Sequence, residues 1–503
     1  MDAIAQFASS FGMYAVVLFV FFIGICVLVV LVLYVLDRLQ TASTIKRNYP
    51  VIGRFRFLFE HLGEFFRQYF FAMDREEMPF NRAQRSWVYR AAKDLDSTVP
   101  FGSTRDLRPQ GTVMFVNAPF PPLTAESLPP KAITMGEGYC SSPYTTGAIV
   151  NISGMSFGAI SKPAVLALSH GARIAGCWLN TGEGGLSQYH LEGGADIVFQ
   201  IGTGKFGVRD AEGNLSEDKL ARIAANPQVK MFEIKLSQGA KPGKGGMLPA
   251  AKVTPEIAEI RGLQVGEDAI SPNRHHELEN NGDLLDMIAR VREVTGKPVG
   301  FKAAVSGADW LDQLFELINQ RGLEFAPDFI TVDSCDGGTG AAPMSLMDDV
   351  GLPVKETLPL LIDKLVEHGL RDRIKVNASG KLINPTEVAW ALCIGTDFVS
   401  TARGPMFALG CIQALQCNKN TCPTGITTHN EDLQKGLVVK NKQQRVANYI
   451  KNLEKELRII SNSCGVKRPR DLSRQHARVV VEHGRSKSLA ELYPSPGTTS
   501  ALH

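Results

Sequence analysis

Cysteine is sparse in this chain, with nine in 503 residues, far below the density of a scaffold built on disulfides. Charge of one sign is equally scarce. Lysine and arginine number 54 against 51 aspartates and glutamates, a formal net charge of +3, and no block of like charge supplies a basic footprint for nucleic acid. No short-period repeat or low-complexity tract occurs, and no strand–GxGxxG–helix with a downstream acid offers a pyridine nucleotide site. No lysine or arginine precedes Arg38. A signal peptide would carry a basic leader before a shorter apolar core, so that reading is disfavoured.

What is present begins with an apolar run. Tyr14 to Leu36 contains no charged residue, and about 20 apolar residues suffice to cross a bilayer. Arg38, Lys46, Arg47, Arg54 and Arg56 follow it, which by the positive-inside rule predicts a single-pass inner-membrane protein with its catalytic domain in the cytoplasm. Residues 49–71 then mix nine aromatics with Arg54, Arg56 and Arg67. Such a helix either lies among lipid headgroups or packs on the catalytic domain. The expected division is 1–13 as a short extracytoplasmic N-terminus and 14–36 as the transmembrane helix. Residues 37–130 form a juxtamembrane and helical region, 131–430 the catalytic barrel, and 431–503 a C-terminal helix and tail.

From about residue 148 short apolar runs alternate with helix-length amphipathic stretches. The candidate strands are 148–152, 177–181, 196–201, 230–235, 268–271, 298–303, 328–333, 374–379 and 397–402. Repeated strand–helix units predict a parallel sheet closed as a (β/α)₈ barrel. Nine candidates compete for eight places, and either 196–201 or 268–271 falls outside. Chemistry in such barrels gathers where strands end. There the sequence has Ser153–Ser161, Gly182–Gly185, Leu236–Gly246, Ser334–Pro343 and Gly380–Lys381, loops of glycine and hydroxyl residues whose backbone N–H groups can cradle an anion. A phosphate-bearing cofactor over the barrel mouth would use all of them. Cys411, Cys417 and Cys422-Pro423 make a C-x5-C-x4-C-P run. Three thiols suit an iron–sulfur cluster; zinc would need a fourth ligand, for which His429 is the candidate; a buried structural role is the plain alternative.

Several longer segments carry a resemblance to a family: NTGEGG (180–185), GKFGV (204–208), EIKLSQGAKPGKGG (233–246), KVTPEIAEIRG (252–262), ISPNRHHE (270–277), DGGTGAAP (336–343), ASGKL (378–382) and GCIQALQCNKNTCPTGI (410–426). Together these resemble the FMN-binding synthase domain of glutamate synthases, and the chain as a whole resembles the short membrane-anchored glutamate-synthase-like proteins. The resemblance implies an oxidoreductase acting on CH–NH2 donors, with FMN and a [3Fe–4S] cluster on Cys411, Cys417 and Cys422. It implies reductive amination of 2-oxoglutarate to L-glutamate. It also implies roles: Glu183, Lys235, Lys241 and Arg261 at the oxo-acid, Ser153, Met155, Ser156, Gln238 and Lys302 against the flavin, and Gly338, Gly340, Gly380 and Gly404 toward its phosphate. His275 and His276 are expected to be structural.

The full-length enzymes of the family also carry a cysteine-dependent glutaminase domain and a glycine-rich β-helix. Neither is seen in this sequence, so ammonia is expected from solution or from a partner. The electron donor is expected to be a ferredoxin, a reductase subunit or a quinone. Met247 stands where the large synthases have a glutamine near 2-oxoglutarate, and a thioether cannot replace that amide's hydrogen bonds. The same redox apparatus acting on another imine, amine or keto-acid is the alternative, and a non-catalytic flavin module of a membrane complex is a further one.

Overall fold

The computed structural model describes residues 2–496, and its contacts divide the chain into two compact units, Met1–Ala83 and Gln84–His503. In the first, a helix over Asp2–Leu39 includes the 30-residue membrane-length stretch Ser10–Leu39, whose apolar side chains are largely exposed. At 1.5 Å per residue this is about 45 Å long, more than the ~30 Å of a bilayer core. A turn follows, pinned by Asp37, which is buried and takes Arg54 Nη2 at 2.7 Å and the Val51 N–H at 3.0 Å. The next long helix, Ile52–Phe66, continues as a single π-helical stretch to Phe71. All nine aromatics of residues 49–71 are exposed within this unit.

The second unit is a closed barrel of eight parallel strands. In chain order these are β1 (Val150–Ile152), β2 (Leu179–Asn180), β3 (Ile197–Ile201), β4 (Val229–Lys235), β5 (Val299–Ala304), β6 (Phe329–Asp333), β7 (Lys375–Ala378) and β8 (Phe398–Thr401). Eight of the nine candidate strands therefore form the barrel. The one left out is 268–271, whose Ala269–Ile270 pairs antiparallel with Met247–Leu248. Both short segments lie in the long connection between β4 and β5, which rejoins the barrel through the helix Asn281–Thr295.

Because both faces of a parallel barrel strand are covered, these strands are valine-, isoleucine- and phenylalanine-rich and almost wholly buried. Two layers fill the interior. Toward the N-terminal ends, Trp178, Val198, Met231, Phe329 and Phe398 pack with Met135 and Tyr144. The last two come from a hairpin, Ile133–Met135 with Tyr144–Thr146, that closes this end. Above lies a polar belt. Glu233 accepts from Asn180 Nδ2 at 2.9 Å, Gln200 Nε2 at 2.7 Å and Thr331 Oγ1 at 2.5 Å, while Asn377 Nδ2 donates to Thr331 Oγ1 at 3.1 Å and Ser400 Oγ at 3.0 Å. An unpaired buried carboxylate would cost several kcal/mol; three donors offset that here, and the belt as a whole joins six of the eight strands.

Outside the barrel, the 25-residue helix Val439–Ser463 packs on the helix Lys162–Ala175. Gly171 permits the approach, since a Cβ there would lie 2.7 Å from Val446 Cβ. The tail beyond residue 463 contains strands as well as short helices. Its strand Ala477–Glu482 pairs with Val113–Phe115 and with Arg485–Ser488.

Candidate active site

Of the residues expected at the oxo-acid, Glu183, Lys235 and Lys241 sit on loops or strand ends at the C-terminal side of the barrel, and Arg261 ends a short helix in the connection after β4. An open cleft lies on that side, lined by Ser153, Gln238, Lys302, Gly338, Gly380 and Arg403 among others. At its floor Lys302, near the end of β5, meets Asp333, the last residue of β6, at 3.0 Å. Asp333 also accepts the Gly239 and Ser334 N–H groups, each at 3.1 Å. Burial works against the Lys302 ammonium, but the charges of Asp333 and Glu233 outweigh it and hold its pKa above the ordinary lysine value. The lysine stays cationic beneath the cleft.

Two glycines shape the walls. A Cβ on Gly380, at φ +133°, would strike Ser334 Oγ at 2.2 Å, and one on Gly154 would lie 2.9 Å from Asn180 Oδ1. Ser334 Oγ is itself a buried hydroxyl with no hydrogen-bond partner among the described residues. A glycine cradle, an orphan hydroxyl and the cations Lys302, Lys381 and Arg403 around one cleft fit a phosphorylated flavin.

Four other charged side chains converge beside this cleft. Glu183, in the loop after β2, accepts from Lys235 Nζ at 3.0 Å, and Lys235 also donates to Gln238 Oε1 at 3.4 Å. Burial alone would raise the Glu183 carboxyl; Lys235, Lys241 and Arg261 reverse that and leave it below the ordinary value. Lys241 donates to Ala341 O at 3.1 Å and Gln238 Nε2 to Gly338 O at 2.6 Å, so the loop after β6 is tethered over the loop after β4. Arg261, the last residue of the helix Pro255–Arg261, is buried, with its guanidinium carbon 5.3 Å from the centre of the Phe206 ring. Its Nη2 donates to Phe157 O at 3.1 Å and Ser156 Oγ at 3.3 Å, whereas its Nε has no acceptor among the described residues. Burial lowers its pKa to about 10. One carboxylate within reach of three cations leaves an excess of positive charge suited to an anionic substrate.

The remaining expected residues take other positions. Ser156 faces Arg261 rather than the cleft, and Met155 is buried behind it with its carbonyl near His190 Nε2. Gly340 borders open space in the tethered loop. Gly404 lies in the first turn of the helix Arg403–Leu409, where a Cβ would fall 2.1 Å from the Tyr449 hydroxyl; it makes room for a side chain of the C-terminal helix. Cys411, Cys417 and Cys422 share one loop, in which Gln413, Leu415 and Asn420 adopt left-handed backbone angles. Among the described residues no three His, Cys, Asp or Glu side chains stand as a metal-binding set. The thiols instead engage local donors, Gln413 N at 3.5 Å from Cys411 Sγ and Thr424 Oγ1 at 3.4 Å from Cys422 Sγ. Burial pushes the Cys411 thiol up to about 12, and the neighbouring Cys417 and Cys422 add to the shift. Three thiols within electrostatic reach of one another, with N–H and O–H donors to sulfur, fit a three-cysteine cluster in donor chemistry.

Sequence reasoning passed over Asp333 and Arg403, and reached Ser334 and Lys381 only as members of candidate cofactor loops. Asp333 was within reach, because a charged residue ending an apolar barrel strand faces the mouth. Arg403 looked like an ordinary helix-start residue and becomes part of the cleft only through barrel closure.

His275 is buried and its Nε2 donates to Lys235 O at 3.0 Å, fixing the end of β4, while His276 stays exposed and meets Asn214. Burial lowers the pKa of His275 to about 4 and does the same to His190. Both are neutral when folded and bind a proton more readily when unfolded. Their contribution is therefore complete above about pH 6.5 and drains as pH falls toward 4, each costing on the order of 1–2 kcal/mol by pH 5. Thermal unfolding midpoints between pH 7 and 5 should fall for the wild type and fall less for His275→Gln. Equal slopes would remove His275 from the account.

A family model for the conserved region in glutamate synthase matches residues 129–467. The chain is 40% identical over 510 residues to the glutamate synthase large subunit-like protein YerD of Bacillus subtilis, an alignment covering 93% of this chain and 96% of that protein. It is 35% identical over 320 residues to an archaeal-type glutamate synthase (NADPH) of Thermotoga maritima, covering 63% of this chain and 59% of that one. A similar match, 35% over 321 residues, is found to the archaeal glutamate synthase (NADPH) of Methanocaldococcus jannaschii, again covering 59% of it. The chain thus spans less than two thirds of the length of these two relatives. Among solved structures a mandelate oxidase variant with (S)-mandelic acid superposes with a TM-score of 0.47 at 15% identity, covering 78% of this chain and 98% of that one.

Proposed function

The chain belongs to the glutamate synthase family, and from that premise we propose that it is a membrane-anchored flavin and iron–sulfur oxidoreductase that reductively aminates 2-oxoglutarate to L-glutamate with ammonia from outside this chain. The observation that carries the proposal is the set of Lys235, Lys241 and Arg261 around a single ionised Glu183 beside a glycine-lined cleft. Three cations against one carboxylate match a dianionic oxo-acid. In the cleft, FMN would be held by Lys302, Ser153, Gly380, Lys381 and Arg403, and Cys411, Cys417 and Cys422 would hold a [3Fe–4S] cluster.

When bound, the flavin supplies a hydride and the cluster delivers electrons one at a time. The chain's own residues do the rest. Arg261 and Lys241 bind the carboxylates of the oxo-acid and orient its carbonyl carbon toward the cleft. Glu183, ionised, takes the proton released as ammonia adds to that carbon, and Lys235, its hydrogen-bonded partner, can donate one to the departing hydroxyl. Lys302 keeps positive charge under the cleft, where negative charge develops on reduction. The loop tethered by Gln238 and Lys241 keeps water from the reacting atoms. The apolar helix Ser10–Leu39 would anchor the protein in the membrane, facing its catalytic unit to the cytoplasm and taking electrons from a ferredoxin, a reductase subunit or a quinone.

One residue favours a second reading. Met247 follows Gly246, whose backbone lies against Glu183, and its half-exposed thioether offers an oxo-acid none of the hydrogen bonds that an amide would. The same apparatus would then act on a different imine, amine or keto-acid. Detergent-purified protein, reduced anaerobically and given 2-oxoglutarate with ammonium, decides between them. Flavin reoxidation with stoichiometric glutamate is expected. A flavin that reduces but stays reduced would refute the substrate assignment, and an increase in 2-oxoglutarate affinity in Met247→Gln would point the same way.

A further inference from the structure

Three consecutive carbonyls in the loop after β1 accept hydrogen bonds from three basic side chains of different elements. Phe157 O accepts from Arg261 Nη2 at 3.1 Å, Gly158 O from His429 Nε2 at 2.8 Å, and Ala159 O from Lys252 Nζ at 3.0 Å. Lys252 is 2% exposed, and its ammonium reaches a second carbonyl, that of Cys417, at 3.0 Å. Two residues on, Ser161 completes the seam: its Oγ donates to Gly425 O at 2.7 Å and its N–H to Ile426 O at 2.8 Å. One face of this strip of backbone therefore holds the cysteine loop, its preceding residues Ser153 and Gly154 line the cleft, and Arg261 secures it from the oxo-acid side.

A buried ammonium is expensive. An apolar residue of the same length would fill the space at lower cost unless the bridge itself matters. Here the ammonium serves two carbonyls on two separate loops and joins them. Among the described residues it pairs with no carboxylate, and its partners are the backbone groups whose positions it sets.

We propose that Lys252 is a positioning residue that clamps the cysteine loop to the flavin-facing strip and thereby sets the separation between the iron–sulfur cluster and the flavin. The inference rests on the cluster and flavin reading above. One-electron transfer slows exponentially with separation, so a loop that drifts by a few ångströms loses rate without losing either cofactor. Arg261, bonded to the same strip, makes the oxo-acid site part of the same rigid piece.

The test uses the full-length chain in detergent under anaerobic conditions, comparing wild type with Lys252→Met, Lys252→Gln and Lys252→Arg. Amide hydrogen exchange over residues 153–161 and 411–426 reports the clamp without reference to any cofactor. Flash reduction followed at the flavin and iron–sulfur absorbance bands reports transfer between them. Lys252→Met is expected to exchange at least tenfold faster in both segments together and to transfer electrons at least tenfold more slowly at unchanged FMN content, with Lys252→Arg recovering most of both. Lys252→Gln, which can reach only one of the two carbonyls, should fall between and serves if the methionine variant does not fold. Wild-type exchange in the variants, or faster exchange with unchanged transfer, overturns the proposal. A wild-type protein that binds FMN but no iron–sulfur cluster overturns the cluster reading and the transfer half of the proposal, and coupled exchange of the two loops then decides the clamp alone.

Discussion

Lys302→Met is expected to lower the unfolding free energy by about 3–5 kcal/mol and to leave a protein that no longer retains flavin. The reason lies in the pair it breaks. Asp333 is 2% exposed and faces Lys302 at 3.0 Å; without the lysine its carboxylate keeps the Gly239 and Ser334 N–H groups but loses its only countercharge on β5. Removing one member of a buried pair strands the other, which costs more than the pair itself contributes. The double variant Lys302→Met with Asp333→Asn separates structure from function. It should regain most of the lost stability by chemical denaturation, because no charge is stranded, yet still fail to turn over. Recovery of both stability and turnover in the double variant would show that the cation has no part in the chemistry.

The second large effect belongs to Arg261. Arg261→Lys keeps the charge and loses the fork, since a lysine offers one compact ammonium where a guanidinium offers a planar pair of donors. Hydrogen bonds to a charged partner are each worth ~1.5–3 kcal/mol, so the affinity for 2-oxoglutarate should fall by about 10–100-fold, with the change carried by KM or by a calorimetric Kd on the oxidised protein. Arg261→Ala should fall further and also loosen the loop after β1, because Phe157 O and Ser156 Oγ lose their donor. An unchanged Kd in both variants would remove Arg261 from the substrate site.

The barrel was legible because its signal is local and repeated. Each apolar run followed by glycine or a hydroxyl residue marked both a strand and the loop that carries chemistry, and eight of nine such runs took their places in the closed sheet. The ambiguity between 196–201 and 268–271 could not be resolved from hydrophobicity, because both are short and apolar and each is followed by a helix; what decides it is the pairing partner, two parallel barrel strands for the first and the nearby Met247–Leu248 for the second. The convergence of Glu183, Lys235, Lys241 and Arg261 was legible only as an implication of family resemblance. Nothing in their spacing, over 79 positions from Glu183 to Arg261, places them together.

Gly404 shows the opposite case. As a letter in a loop it matched a phosphate-binding position, but in three dimensions its missing Cβ makes room for Tyr449. Lys252, unremarkable in the sequence, proves to be buried between two loops whose bonded carbonyls, those of Ala159 and Cys417, are 258 residues apart. By itself the sequence determined the parallel barrel, the apolar N-terminal helix and the family, since these follow from periodicity, run length and ordered motifs. Tertiary structure alone decided which charges neutralise which, because a pKa, a buried ion pair or a clamp between carbonyls depends on distances of about 3 Å between residues that the chain order leaves far apart.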